Sequence, residues 1–298
     1  INGSTDQRIN GSTDQRINGS TDQRINGSTD QQINGSTDQR KNGPKDQRTD
    51  GSTNQTDKRT NGPTDQQNTG STDQRATSCK QLYEAKKFNK TQMATLRFGS
   101  TPTSVMCHVG DFGCGPGAWT TVLKTDGNKK TFRFDSAYWS NTNEYKLDGG
   151  STGFDTQETK LSTYWNTPFS QICLGMKVSE QLNFVVLNKQ ASSLFSLIAD
   201  GSNRSTSLAR YTWKTLLGSK GSLQLRWNKQ GFNSVCKQCR VRIGIVSNNE
   251  YNCESCDSRI GFGASGPPYD SSTCGNEAKW YPDNGNRNIK AMGYVLVQ

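Results

Sequence analysis

The chain has 298 residues, with 36 Lys/Arg against 26 Asp/Glu and a net charge of +10. No apolar run approaches the ~18 residues that a membrane helix needs, so no membrane span is expected. Residues 1–75 hold five apolar side chains, Ile1, Ile9, Ile17, Ile25 and Ile33, whereas all six Trp, nine Tyr and eleven Phe follow them.

A segment with so little to bury cannot offset its ordering entropy, and 1–75 reads as a disordered tail. Residues 76–298 are enough for one sizeable core. The tail balances ten basic against ten acidic residues, so the whole excess belongs to 76–298, with 26 against 16. A basic domain favours acidic partners such as sulfated or carboxylated glycans, mineral-associated acidic proteins or nucleic acid. The basic residues are scattered, densest at Lys124–Arg133 and Lys237–Arg242. That fits charge spread for solubility, and no nucleic-acid partner is expected.

In the tail, INGSTDQR recurs with a period of eight and then decays. One Ile per unit supplies neither a heptad seam nor a shared solenoid face. The intact units carry N-G-S acceptors for sugar at Asn2, Asn10, Asn18, Asn26 and Asn34, with a further sequon at Asn54. The tail therefore reads as a spacer or glycan stalk, or as an expanded repeat without a role. Two more sequons, Asn89 and Asn203, fall in the following domain. The chain begins with Ile1, and the expectation is that a signal peptide has been removed or that the N-terminal end is missing. Sequons together with nine cysteines, all at or after Cys79, argue for a secreted, extracellular protein.

In chain order, Leu82, Tyr83 and Phe88 suggest a short amphipathic helix, followed by strand-like TLRF and SVMC. AWTTVLK and TFRF (131–134) predict a hairpin about Asp126-Gly127-Asn128. Asn183–Asn188 and Leu194–Ala199 are further strand candidates. Ser207 can cap a helix through LARYTWKTLL, stopped by Gly218. SLQLRW and RVRIGIV alternate as half-buried strands do, and MGYVLV predicts a central strand. The fold class that emerges is α+β, a single cysteine-stapled domain.

Cys79, the strand ending in Cys107-His108, and GCGPGAWTTVLKTDG resemble the opening of fibrinogen-related domains. IVSNNEYNCESCDSRIGFG, STCGNE and AMGYVLVQ are similar to the closing half of intelectins. The middle (138–177) resembles fibrinogen-like proteins of coral skeletal organic matrix. The resemblance covers roughly residues 79–298. The sequence departs from the pattern at His108, where the family usually has Asp, at Ala118, and at Asp257, which replaces a His ligand.

The resemblance implies a Cys79–Cys107 bond and, by intelectin analogy, Cys114–Cys274. Cys236-x-x-Cys239 and Cys253-x-x-Cys256 have zinc-ribbon spacing, but the secretory signs favour disulfides over zinc. Nine is odd, so one cysteine, with Cys173 the candidate, is free or pairs between chains. That leaves a disulfide-linked homo-oligomer open.

Acidic and amide side chains cluster late in the domain, either as a polar surface loop held by disulfides or as hard oxygen donors, which suit Ca²⁺. The resemblance places calcium here, and the candidate ligands are Glu254, Asp257, Glu277 and Asp283. Trp280 and Tyr281 beside them either wall a sugar ring or pack into the core. Catalysis finds no support: His108 is the only His. It adjoins a cysteine at a strand end, and no G-x-S-x-G elbow is present. GFGASG is followed by Pro267-Pro268 in place of a phosphate-binding helix. The reading is therefore a non-enzymatic, Ca²⁺-dependent lectin acting in recognition or adhesion. Its alternative is a structural component of an extracellular or biomineral matrix.

Overall fold

The computed structural model describes residues 75–298; the octad repeats, with Asn2, Asn10, Asn18, Asn26, Asn34 and Asn54, lie outside the described residues. The first helix, α1 (Cys79–Glu84), starts where the Ser78 side chain accepts from the Gln81 N–H at 3.2 Å, and it buries Cys79 and Leu82. Six strands follow: β1 (Gln92–Phe98), β2 (Thr101–Val109), β3 (Ala118–Asp126), β4 (Thr159–Lys160), β5 (Phe169–Val178) and β6 (Gln181–Ala191). The second set is β7 (Arg204–Ser205), β8 (Trp227–Cys236), β9 (Cys239–Asn248), β10 (Ser258–Ser265), β11 (Cys274–Ala278) and β12 (Arg287–Lys290). The chain returns in β13 (Met292–Val297).

Two antiparallel sheets result. The first runs β1-β2-β3-β13-β5-β6 with β4 on β3; the second runs β12-β11-β10-β9-β8-β7. The strand MGYVLV is central as expected, clasped between β3 and β5 with all six residues buried. One core joins the sheets: Val122, Ile172, Leu174 and Val295 from the first meet Ile243, Ile245, Ile260 and Phe262 from the second. Trp139 and Trp213 are fully buried in it. The α+β expectation holds only coarsely. Strands dominate, and the helices are short segments set between them.

Three local expectations fail for identifiable reasons. Residues 131–134 do not pair with β3, because β13 occupies one edge of that strand and β2 and β4 occupy the other. The segment Leu194–Ala199 is mostly helical: α3 spans Leu194–Ile198, and its i, i+3, i+4 residues Leu194, Leu197 and Ile198 are buried. Its cap is Ser193, accepting from Ser196 N–H at 3.1 Å. SLQLRW is a strand only at Trp227. The N–H groups of Ser222, Leu223 and Gln224 donate to Asn276 Oδ1, Asp283 Oδ1 and Ser258 Oγ, so side chains replace a neighbouring strand. The helix stopped by Gly218 does form, over Arg210–Thr215, but it begins at Ala209 without a side-chain cap. Gly218 follows in the left-handed region at φ 58°.

Four disulfides staple the domain. Cys79–Cys107 joins α1 to β2 with a Cα–Cα distance of 5.5 Å. Cys236–Cys253 and Cys239–Cys256 tie the β8–β9 turn to the loop before β10, with Cα–Cα distances of 5.2 and 5.6 Å. The expected Cys114–Cys274 pair is corrected. Cys114 bonds Cys173 at a Cα–Cα distance of 5.8 Å, on the face of the first sheet that also carries Trp119 and Tyr294. Cys274 is the free cysteine, and it lies fully buried in the inter-sheet core. Burial pushes its thiol well above the ordinary range. The unpaired cysteine is therefore not Cys173, and it is not presented to a second chain.

Candidate functional site

At one end of the second sheet three loops meet: the segment entering β8, the loop leaving β9 and the loop leaving β11. Gln224, Leu225, Arg226, Asn249, Glu250, Trp280 and Tyr281 line an open cleft of about 480 Å³ there. Trp280 is 43% exposed and Tyr281 98%. Leu225 and Tyr251 nearby in sequence are also exposed, and Arg226 lies over the Tyr251 ring at 5.2 Å. Water-facing aromatic and aliphatic surface is costly to leave uncovered and marks recognition sites when it is grouped.

The backbone carries a second signal. Trp280 and Tyr281 are consecutive non-glycine residues at φ 60° and 62°. Such conformations cost of order 1–3 kcal/mol each for side chains of this size and persist only where the surroundings impose them. Here the buried Gln224 imposes them: its side-chain amide donates to the carbonyls of Lys279 at 2.7 Å and Trp280 at 3.0 Å. From below, Lys279 N–H donates to the Asp257 carbonyl at 3.0 Å. The chain thus holds two aromatic side chains outward that hydrophobic burial alone would draw inward. Gln224, Leu225 and Arg226 escaped the sequence reading because their alternation imitates a strand.

The four candidate calcium ligands are not brought together. Among the described residues no group of three or more His, Cys, Asp or Glu side chains is placed to hold a metal ion. Glu277 is fully buried and paired with Arg259 at 3.0 Å, and it accepts the N–H groups of Tyr269, Asp270, Ser271 and Ser272 at 2.8–3.0 Å. Asp283 accepts from Arg210 at 2.6 Å and Lys214 at 2.7 Å. Burial pushes its carboxyl up, but the hydrogen bonds from Lys214, Leu223 N–H and Arg210 hold it below the ordinary carboxylate range. Glu254 is exposed, 3.7 Å from Lys237. The Glu277 and Asp283 oxygens are taken by protein donors, so this four-residue set does not fit a calcium ion.

Asp257 differs from the other three. It is buried and accepts from Asn249 N–H at 3.2 Å. Burial pushes its carboxyl up, and the neighbouring Glu250 adds to the rise. Asp257 and Glu250 stand beside the aromatic cleft.

His108 is buried, with its ring stacked on Phe154 at 4.2 Å and tilted against Phe112 at 5.6 Å. Burial lowers it to about 4, with Lys124 adding to the fall, so it is a neutral packing element at physiological pH. Of the two sequons within the described residues, Asn89 is exposed. Asn203 instead donates its Nδ2, the atom that would carry sugar, to the carbonyls of Phe232 at 3.1 Å and Asn233 at 3.3 Å. No helix among the described residues is long and apolar enough to cross a membrane. No family model matches this chain, and no curated protein matches it.

Proposed function

We propose that this chain is an extracellular glycan-binding protein of recognition or adhesion, built on a domain of the fibrinogen-related, intelectin-like kind. The observation that carries the reading is the outward Trp280–Tyr281 pair, held in left-handed backbone at the wall of a cleft rich in amide and charged groups. An aromatic face covers the apolar face of a pyranose ring, while Gln224, Asn249, Glu250 and Arg226 offer donors and acceptors to its hydroxyls. The four disulfides and the absence of a membrane-length helix among the described residues are compatible with an extracellular setting. The carboxylates beside this cleft are Asp257 and Glu250.

The test is the full chain on a glycan array, with calcium and with EDTA, beside its Trp280→Ala and Tyr281→Ala variants. Binding that both variants lose supports the aromatic site, and its loss in EDTA adds calcium. No glycan bound by the parent chain overturns the reading and leaves a structural matrix component.

A further inference from the structure

We infer a second ligand site, for an oxyanion-bearing glycan, where the two densest basic runs of the sequence meet. Arg133 closes the first run, and Lys237 and Arg240 belong to the second. With Gln238 and the loop Gly266–Asp270 they line one open cleft of about 610 Å³. This cleft shares no residue with the aromatic one. Its charged lining is Arg133, Lys237 and Arg240 against a single acid, Asp270.

The cations are not equivalent. Arg133 is engaged with Asp270 at 2.7 Å, and the exposed Lys237 lies 3.7 Å from the exposed Glu254. Arg242 donates to the Phe134 carbonyl at 2.7 Å and to Asn233 Oδ1 at 2.8 Å. Arg240 is different: among the described residues it has no acidic partner, and its Nε is buried without a hydrogen bond. Its guanidinium lies 5.0 Å from the Phe134 ring, which Arg242 also approaches at 4.2 Å, a contact that uses no N–H donor. The terminal Nη donors of Arg240, which have no acidic partner among the described residues, match the two oxygens of a sulfate or carboxylate group end-on.

The opposite wall is built before any ligand arrives. Arg259 donates to the carbonyls of Gly266 and Pro267, and Glu277 holds the N–H groups of Tyr269 and Asp270. A preformed cleft loses little ordering entropy on binding. The half-buried Pro267 and Pro268 and the partly exposed Tyr269 give a sugar ring an apolar flank beside the charge. The ligand class is thus a sulfated or uronate-bearing oligosaccharide, with Arg240 as the specificity-determining residue.

The experiment is calorimetric titration of the full chain with three probes: a heparin-type hexasaccharide, its desulfated and N-acetylated counterpart that keeps only carboxylates, and a neutral oligosaccharide. Arg240→Gln and the rim variant Lys237→Asn are compared with Lys290→Gln, a surface-charge control, and with Tyr281→Ala, which removes the aromatic site. Asn tolerates the left-handed backbone of residue 237, so that variant keeps its fold. At least one anionic probe should bind. Arg240→Gln should then weaken it about tenfold and Lys237→Asn about threefold, with Tyr281→Ala unchanged and Lys290→Gln within about twofold. Binding of the sulfated probe alone assigns sulfate, and binding of both assigns either oxyanion. No anionic binding, or equal losses in Lys237→Asn and Lys290→Gln, overturns the site. Loss in Tyr281→Ala but not in Arg240→Gln also overturns it, while leaving the aromatic site standing.

Discussion

Arg259 Nη2 lies 3.0 Å from Glu277 Oε1, with the two side chains 1% and 0% exposed. The pair is the brace of the loop between β10 and β11. Arg259 reaches the carbonyls of Gly266, Pro267 and Ser272, while the Glu277 carboxylate gathers four successive N–H groups from Tyr269 to Ser272. Neither charge is solvated, so each depends on the other.

Removing one partner leaves a buried, uncompensated charge, which costs about 3–5 kcal/mol. Glu277→Gln should therefore lower the unfolding free energy by about that much, measured by urea titration of the full chain. The loss should be the same with calcium and with EDTA, since the partner of Glu277 is Arg259. A loss seen only with calcium would show that Glu277 binds the ion.

The His108 imidazole is lowered to about 4 by burial against Phe154 and Phe112, with Lys124 adding to the effect. A depressed folded pKa means that the unfolded chain takes up the proton first. Its contribution is full above pH ~6.5 and is lost as pH falls toward about 4, roughly 3 kcal/mol in all. His108→Gln should flatten the stability profile between those pH values. A parallel profile for parent and variant would show that another group carries the acid sensitivity.

Tyr281 is 98% exposed at φ 62°, so its ring contributes little packing while its backbone is strained. Tyr281→Gly relieves the strain and loosens the unfolded chain, two effects of about 1 kcal/mol with opposite signs. Stability should stay within about 1 kcal/mol of the parent while glycan binding is lost. A large stability loss would place the ring in the core instead of at the cleft.

Peptide mapping without reduction should recover Cys114 linked to Cys173, and an alkylating reagent should reach Cys274 only after denaturation. The Cys274 thiol is enclosed beside Phe262 and Gly293, where a Cβ on residue 293 would collide with both side chains. Gly293→Ala should therefore destabilise the chain by about 1–3 kcal/mol through overpacking. Alkylation of native Cys274 would contradict its burial.

Short-range chemistry alone specifies several features of this chain. The MGYVLV run has no polar face, so it had to be a strand with neighbours on both sides. Gly218 could end a helix because its own φ permits it. Trp280 and Tyr281 could be singled out as aromatics in a polar loop. The partners of other residues are set by the folded chain. The apolar set Leu194, Leu197 and Ile198 suits either period in so short a run, and Ser193 with the core behind it selected the helix. Glu277 and Asp283 read as free oxygen donors until Arg259, Arg210 and Lys214 were folded against them. Cys114 took Cys173 because β5 and the loop before β3 share one sheet face, leaving Cys274 on the other side in the core. An ionic or covalent partner is chosen by distance in space, and residues 18 to 73 positions apart in these pairs carry no local mark of it.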